Sequence, residues 1–236
     1  MNRSTQLLSQ AYKLAVHRGD LASAPYVMKL SEAGNARQGF FTEQEFRNVL
    51  DNLPSYLQDF ILFCYLVGWR SGEVKSLRWE DTEGDSLIRL RDVNSKNGVA
   101  RSVSVVGPRL RELFERRKRA RSVKTPSGAV VMSEFIFHKN GAPVGDFRKA
   151  WKTACNLAGV PGRLPHDLRR CCVRNLVRSG VPTDVARQIT GHLTAAVFSR
   201  YNIVAEEQKA DALVTMEAYL ANEQPKTVAM QAHAIQ

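Results

Sequence analysis

The chain has 236 residues, 44% of them apolar, which is room for one full domain and an appendage but not for two large domains. Its 34 Lys and Arg against 23 Asp and Glu leave a formal charge of +11, a balance that favours a polyanionic partner. The longest apolar run, Phe60 to Trp69, falls well short of the roughly 20 residues that span a bilayer, and the first turns carry no secretion signal; no membrane contact and a cytoplasmic location are expected.

Residues 4–18 read as a helix with Leu7, Leu8, Ala11, Leu14 and Ala15 on one side, a stripe too isolated to bury itself, as in an end piece of something larger. A polar linker, Gly34 to Gly39, leads to a new start. Thr42-Glu43-Gln44-Glu45 spells a capping box, and Phe41 and Phe46 are placed as its hydrophobic staple. Pro54 precedes an apolar helix predicted over Ser55 to Val67, which Gly68 is suited to end because it tolerates a left-handed backbone. Trp69 and Arg70 fall at that break, and a short helix near Gly72 to Leu77 follows. Ser86 to Val93 and Arg101 to Val106 read as strands, with Val103 and Val105 alternating against Ser102 and Ser104, and Asn97-Gly98 between them reads as their hairpin turn. From Pro108 the pattern is helical over about 109–121, 146–158, 166–179, 183–190, 194–201 and 205–222, divided by Gly and Pro. The predicted fold class is mainly α with a small antiparallel β-sheet (α+β). Residues 223–236 have no periodic apolar pattern and are expected to be a disordered tail.

Several chemistries lack their motifs. Cys64, Cys155, Cys171 and Cys172 show no C-x-x-C spacing and read as reduced packing residues. No phosphate-binding G-x-x-x-x-G-K-[ST] occurs, and the five histidines form neither an H-x-x-x-H pair nor a cluster with cysteine. Glu80, Asp81, Glu83 and Asp85 are better read as a solvated turn than as a cation loop. Neither metal nor cofactor is expected, and any chemistry on nucleic acid should run on side-chain cations.

Five short segments stand out by their order. Gly68-Trp69-Arg70-Ser71-Gly72-Glu73 sets an arginine at a helix break with a carboxylate three residues on. Ser95-Lys96-Asn97-Gly98 puts a lysine at a hairpin tip. His166-Asp167-Leu168-Arg169 places His166 and Arg169 on one helix face. Gly191-His192 follows, and Tyr201 lies nine residues later. This series, from about Phe40 to Leu220, resembles the tyrosine recombinase family, which includes phage integrases. The resemblance implies that family's catalytic-domain fold and a site in which Tyr201 is the nucleophile. Arg70 and Arg169 would clamp the phosphate, Lys96 would be the leaving-group acid, and His166 and His192 would complete the pocket. Glu73 would support the site.

Those residue types suit transesterification of a DNA phosphodiester. Charge that builds on the nonbridging oxygens calls for planar, bidentate donors, which Arg70 and Arg169 supply. A free tyrosine has a pKa of about 10, so the phenolate lies roughly 4 kcal/mol uphill at neutral pH, a gap that nearby guanidiniums and imidazoles reduce. A 5′-alkoxide leaves poorly without a proton donor, which a lysine on a flexible hairpin can be. His166 could accept the phenolic proton and His192 could hydrogen-bond a phosphate oxygen, but the sequence does not separate their roles. Each residue alone also has a plainer reading: Arg70 as a helix-end cation, Lys96 as a solvated turn residue, His166 and Arg169 as a surface pair, His192 as a helix cap, and Tyr201 as core or interface.

Residues 109–124 hold Arg109, Arg111, Arg116, Arg117, Lys118, Arg119, Arg121 and Lys124 against Glu112 and Glu115. Leu110, Leu113 and Phe114 give this helix an inward side, so its cations are expected to project outward, either onto DNA phosphates or as a solubilising face. In the last helix, Leu213, Met216 and Leu220 form a stripe. It would cover a neighbouring protomer of a tetramer on DNA, as the resemblance implies, or dock on its own domain; in isolation the chain could be a monomer. The expected organisation is 1–34 as the remnant of an N-terminal core-binding domain with its linker, 35–222 as the catalytic domain, and the tail. The chain is thus either an excised catalytic domain or a truncated gene product. The expected function is a site-specific DNA recombinase or integrase, nucleoid-associated when bound, acting on double-stranded DNA through a 3′-phosphotyrosine intermediate. The rivals are type IB topoisomerase-like strand passage and a DNA-binding regulator without turnover.

Overall fold

The computed structural model describes residues 2–28, 39–125, 127–195, 198 and 206–222. They belong to two units, Met1–Gln38 and Gly39–Gln236. The first contains α1 (Asn2–His17), on which Leu7, Leu8 and Leu14 stay exposed.

The second unit starts where local chemistry says it should. Thr42 Oγ1 accepts from Glu45 N at 3.2 Å while Glu45 Oε2 accepts from Thr42 N at 2.7 Å, which closes the capping box of α2 (Glu43–Asp51). The rings of Phe41 and Phe46 staple it edge to face, 6.4 Å apart. Next comes α3 (Ser55–Val67), apolar on nearly every side and therefore central: Leu57, Phe60, Ile61 and Phe63 are fully buried. It packs against α2, α5 (Pro108–Arg119) and, from far along the chain, α7 (Pro165–Arg178). Gly68 ends it at φ 72°, turning the chain into α4 (Ser71–Lys75). All four cysteines are buried free thiols; burial lifts that of Cys155 to about 11 and that of Cys172 to about 12.

A three-stranded antiparallel sheet follows: β1 (Thr82–Glu83), β2 (Leu87–Leu90) and β3 (Arg101–Ser104), in that order. Its register pairs Ile88 with Val103 and Leu90 with Arg101. Ile88 and Leu90 are buried, so Arg101 sits on the inward face of its strand. The strands are shorter than the sequence predicts, and Asn97-Gly98 does not join them directly. Residues 91–100 instead form a longer loop with a 3₁₀ turn at Asp92–Asn94, in which Gly98 N donates to Ser95 O at 3.0 Å. The loop departs from a tight hairpin because its middle is tied elsewhere, at Lys96, as described below. The acidic turn is ion-paired: Arg91 reaches Glu80 and Asp81, and Arg89 reaches Glu83.

Between α5 and α6 (Arg148–Leu157) lie two hairpins that the helical pattern did not predict, β4 (Ser122–Lys124) with β5 (Val130–Met132), and β6 (His138–Lys139) with β7 (Ala142–Pro143). The second is closed by Asn140-Gly141 with φ values of 52° and 88°, the doubly left-handed turn that this dipeptide favours. Beyond α7, α8 (Thr183–Thr190) ends on Gly191 at φ 70°, and α9 (Glu206–Asn222) is the last described element. Most of the helix predicted over 194–201, and the predicted tail, lie outside the described residues. No described helix is long and apolar enough to cross a membrane.

Candidate active site

The buried carboxylate of Glu73 organises the site. As the third residue of α4 it accepts from Arg70 N at 2.9 Å on Oε2, which caps the helix. Its Oε1 then receives Arg70 Nη1 at 3.0 Å and Lys96 N at 3.2 Å, and Oε2 receives Arg101 Nη2 as well. One anion thus holds three segments: the helix break, the 91–100 loop and the start of β3. Burial by itself would raise the Glu73 carboxyl, but Arg101, the N–H groups of Arg70 and Lys96, and the Arg70 guanidinium outweigh it and hold it below the usual range.

Arg101 is only 9% exposed and its guanidinium lies over the buried Trp69 ring at 5.0 Å. Trp69 Nε1 donates to Ile189 O at 2.8 Å, fastening the same layer to α8. On the other side, a Cβ on Gly191 would stand 2.6 Å from the Arg101 guanidinium carbon, so glycine is needed there for space as well as for its positive φ.

The second half of the site comes from α7 and the end of α8. Asp167 Oδ2 accepts from Leu164 N at 2.8 Å and so caps α7, placing His166 in the first turn and Arg169 one turn on. Arg169 is buried. Its Nη1 donates to Gly68 O at 2.8 Å and to Thr190 O, and its Nε to His192 Nε2 at 3.1 Å. Gly68 precedes Arg70 by two residues, so this bond brings the two candidate clamps together. His192 is packed edge to face on Phe198 at 5.5 Å. Desolvation, then Arg169, Arg70, His166 and Arg101, push its pKa down to about 3. His166 is exposed to solvent, yet desolvation by its neighbours and then the Arg169 charge move it below the ordinary histidine value. Both imidazoles are therefore neutral at neutral pH.

Residues 40–208, well over half of the chain, match the phage integrase family. The chain belongs to that family. Its members are tyrosine recombinases, as the order of motifs implied. No curated protein sequence matches the chain. Among solved structures it is similar to a λ integrase dimer bound to a COC′ core site, with 17% identity and a TM-score of 0.65 over 87% of this chain and 61% of that one. It is also similar to XerA recombinase, with 18% identity and a TM-score of 0.60 over 88% of this chain and 73% of that one. The Tn1549 transposon integrase in complex with circular intermediate DNA gives 16% identity and a TM-score of 0.68, over 90% and 77% of the two chains. At these identities the likeness is one of fold, mainly α with small antiparallel sheets. The chain spans about three fifths of that λ integrase.

In this phage integrase family member the structure brings together Arg70, Glu73, Arg169, His192 and the Lys96 backbone, with His166 close enough to feel Arg169 and Arg70. Tyr201 lies outside the described residues. Arg101 was missed. Alternation in β3 carried one step back from Val105 and Val103 reaches Arg101, so a charged residue at an inward position was the signal available. Thr190, whose hydroxyl meets His192 Nδ1 at 2.8 Å, gave no signal in the sequence.

The basic segment is placed differently from the expectation. Arg116 and Arg117 lie against Asp59, near the start of α3, whereas the site is at its end; the nine residues from Asp59 to Gly68 rise about 14 Å at 1.5 Å each. Arg117 does not project outward: it is 5% exposed and donates to Ile136 O at 2.8 Å. Arg109 pairs with Glu43, Arg116 with Asp59, and Lys118 with Asp85 and Glu115, while Arg121 lies over Trp79. Helix α5 stops at Arg119, leaving Lys124 exposed on β4, and Arg119 is exposed. Carboxylates from other elements thus engage several of the cations that the sequence showed as a uniform face.

Proposed function

We propose that this phage integrase family member cleaves and rejoins double-stranded DNA by transesterification through a 3′-phosphotyrosine intermediate. The observation that carries the reading is the gathering of Arg70, Arg101 and the Lys96 loop around the single Glu73 carboxylate, with Arg169 held on Gly68 O two residues before Arg70 and next to two neutral imidazoles. Such a cluster has cationic charge to offer a phosphodiester, and more to offer its transition state.

In the proposed reaction the Tyr201 phenolic oxygen attacks phosphorus and its proton passes to neutral His166. The bond to the 5′-oxygen breaks, and that oxygen takes a proton from the Lys96 ammonium. The products are a DNA 3′-phosphotyrosyl ester and a free 5′-hydroxyl. An aryl phosphodiester has a tolerable leaving group, so a DNA hydroxyl can attack it and reseal the strand. Arg70 and Arg169 hold the nonbridging oxygens; Glu73 keeps Arg70 and the Lys96 loop in place. The α9 side chains Leu213, Val214, Met216, Tyr219 and Leu220 are all exposed, which favours cover by a neighbouring copy on DNA over docking on the chain's own core. Helix α1, with its exposed leucines, is read as the last helix of an N-terminal DNA-binding domain. Exposed Arg119 and Lys124 are the candidates in the basic segment for phosphate contacts outside the site.

The test is incubation with a nicked suicide duplex followed by a denaturing gel. A covalent protein–DNA band that Tyr201→Phe abolishes is expected; its absence in the unmodified chain would favour a binding module without turnover. Relaxation of supercoiled DNA without partner exchange would instead favour strand passage.

A further inference from the structure

We infer that Arg101 is a positioning residue for Lys96: it controls both hydrogen bonds that fasten the Lys96 loop to the domain, and it acts on cleavage through that loop without touching the phosphate. The inference rests on the reading of Lys96 as the leaving-group acid, although the contacts behind it do not.

The loop over residues 91–100 has no apolar anchor. Val93 and Val99 are 82% and 50% exposed, Lys96 and Ala100 are exposed, and Ser95 is its one buried residue. Local bonds such as Ser95 N to Asp92 O at 2.9 Å and Gly98 N to Ser95 O at 3.0 Å shape its turns without tying it to anything else. Beyond Arg91, which pairs with Glu80 and Asp81 at the loop's start, two hydrogen bonds among the described residues do the tying, and they fall on successive residues. Lys96 N donates to Glu73 Oε1 at 3.2 Å, and Arg101 Nη1 lies 3.5 Å from Ser95 Oγ.

Arg101 controls the first of these bonds as well as making the second. Its Nη2 sits on Glu73 Oε2, and its charge does more than that of any other neighbour to keep the buried carboxyl ionised. An ionised acceptor holds an N–H about twice as strongly as a neutral one. Arg70 shares the carboxylate but has no described bond to the loop. Without Arg101, Lys96 N would keep an acceptor that is free to turn or to take a proton, and Ser95 would be released. Arg101 is itself fixed: the Trp69 ring covers it at 5.0 Å, Gly191 packs against it, and β3 pairs it with Leu90. Its side chain is only 9% exposed, so it is shielded from a phosphate. Lys96, by contrast, is held by its backbone and keeps an exposed side chain free to follow the departing 5′-oxygen.

The experiment compares single-turnover cleavage of two nicked duplexes, one of ordinary DNA and one with sulfur in place of the 5′-bridging oxygen at the scissile bond. A thiol ionises near pH 8.5, about as cysteine does, so the sulfur leaves as thiolate and needs no proton from Lys96. On ordinary DNA, Arg101→Met should lose at least about tenfold, part of the roughly 10²–10⁴ that a general acid supplies, and Lys96→Ala should lose more. On the sulfur duplex both should stay within about threefold of the unmodified chain. Arg101→Lys, which returns the charge, should recover part of the loss, whereas Arg70→Ala should lose on both duplexes. Equal losses on the two duplexes in a folded Arg101→Met chain would overturn the inference, because direct phosphate contact predicts that result; an unchanged rate on ordinary DNA would overturn it too. If the methionine variant does not fold, Arg101→Gln, which fills the space with an uncharged amide, takes its place with the same expectations. Without DNA, amide hydrogen exchange at Lys96 should quicken about five- to tenfold in the same variant, the net worth of one hydrogen bond, and unchanged exchange would contradict the tether. A Lys96→Ala loss that is equal on both duplexes, or an unmodified chain that cleaves neither, would count against the proposed reaction itself, while the exchange result still decides whether Arg101 holds the loop.

Discussion

Glu73 and Arg101 form a buried ion pair that joins a helix break to the first residue of a strand 28 positions later. Neither charge has water to fall back on, with side chains 3% and 9% exposed, and Arg70 and the Lys96 backbone share the same carboxylate. Replacing Glu73 by glutamine leaves Arg101 buried beside a weak acceptor, a loss of about 3–5 kcal/mol for breaking such a pair. Urea denaturation should show this. A double cycle with Arg101→Met should recover part of it, because removing both charges leaves neither uncompensated.

Gly191→Ala should be destabilising for two separable reasons. A left-handed backbone costs an alanine about 1–2 kcal/mol, and the new methyl would meet the Arg101 guanidinium, which Glu73 and Trp69 hold in place. In an Arg101→Ala background only the backbone cost should remain. Equal penalties in the two backgrounds, measured by denaturant midpoint, would show that the close approach is not the constraint.

The basic segment should divide by burial. Arg117→Ala strips the Ile136 carbonyl and Asp59 of a donor, and is expected to cost about 2–4 kcal/mol of stability. Arg119→Ala, at an exposed site, should stay within about 0.5 kcal/mol of the parent. If Arg119 meets phosphate, its loss weakens DNA binding uniformly across sequences and lowers the slope of log affinity against log salt by about 1. A filter-binding series over salt concentration separates the two residues.

Acid should weaken the fold before the carboxylates titrate. His192 has a folded pKa of about 3 against an ordinary 6.5, so in that window the unfolded chain binds a proton that the folded chain refuses. Its contribution is complete above about pH 6.5 and is lost as pH falls toward 3. His166 and His138 are shifted in the same direction. Between about pH 6.5 and 5 the His192 share amounts to no more than about 2 kcal/mol, and His192→Asn should flatten the stability profile by that amount. A profile unchanged by the substitution would contradict the neutral, buried ring.

Much of this architecture could be read from the sequence because it is local. The box at Thr42 and Glu45, the helix from Ser55 to Val67 closed by Gly68, and the pairing of His166 with Arg169 depend on residues within one or two turns of each other. What escaped depends on partners far away in the chain. Arg101 reaches Glu73 because β3 pairs Arg101 with Leu90 and because Gly191 leaves room for it, and neither fact is written near position 101. Arg117 looked like its neighbours until Asp59 and Ile136 closed over it. Asn97-Gly98 and Asn140-Gly141 are the same dipeptide, yet only the second closes a hairpin. The first lies in a loop whose preceding residue is anchored to Glu73.

In the proposed reaction, guanidiniums gathered around Glu73 stabilise the transition state of strand cleavage more than they hold DNA. The most direct measurement is single-turnover cleavage of the nicked duplex by Arg70→Ala, set beside its DNA dissociation constant under the same conditions. A cleavage loss of about 10²–10³-fold is expected, with a change in affinity of less than about tenfold. Equal losses in both would contradict it.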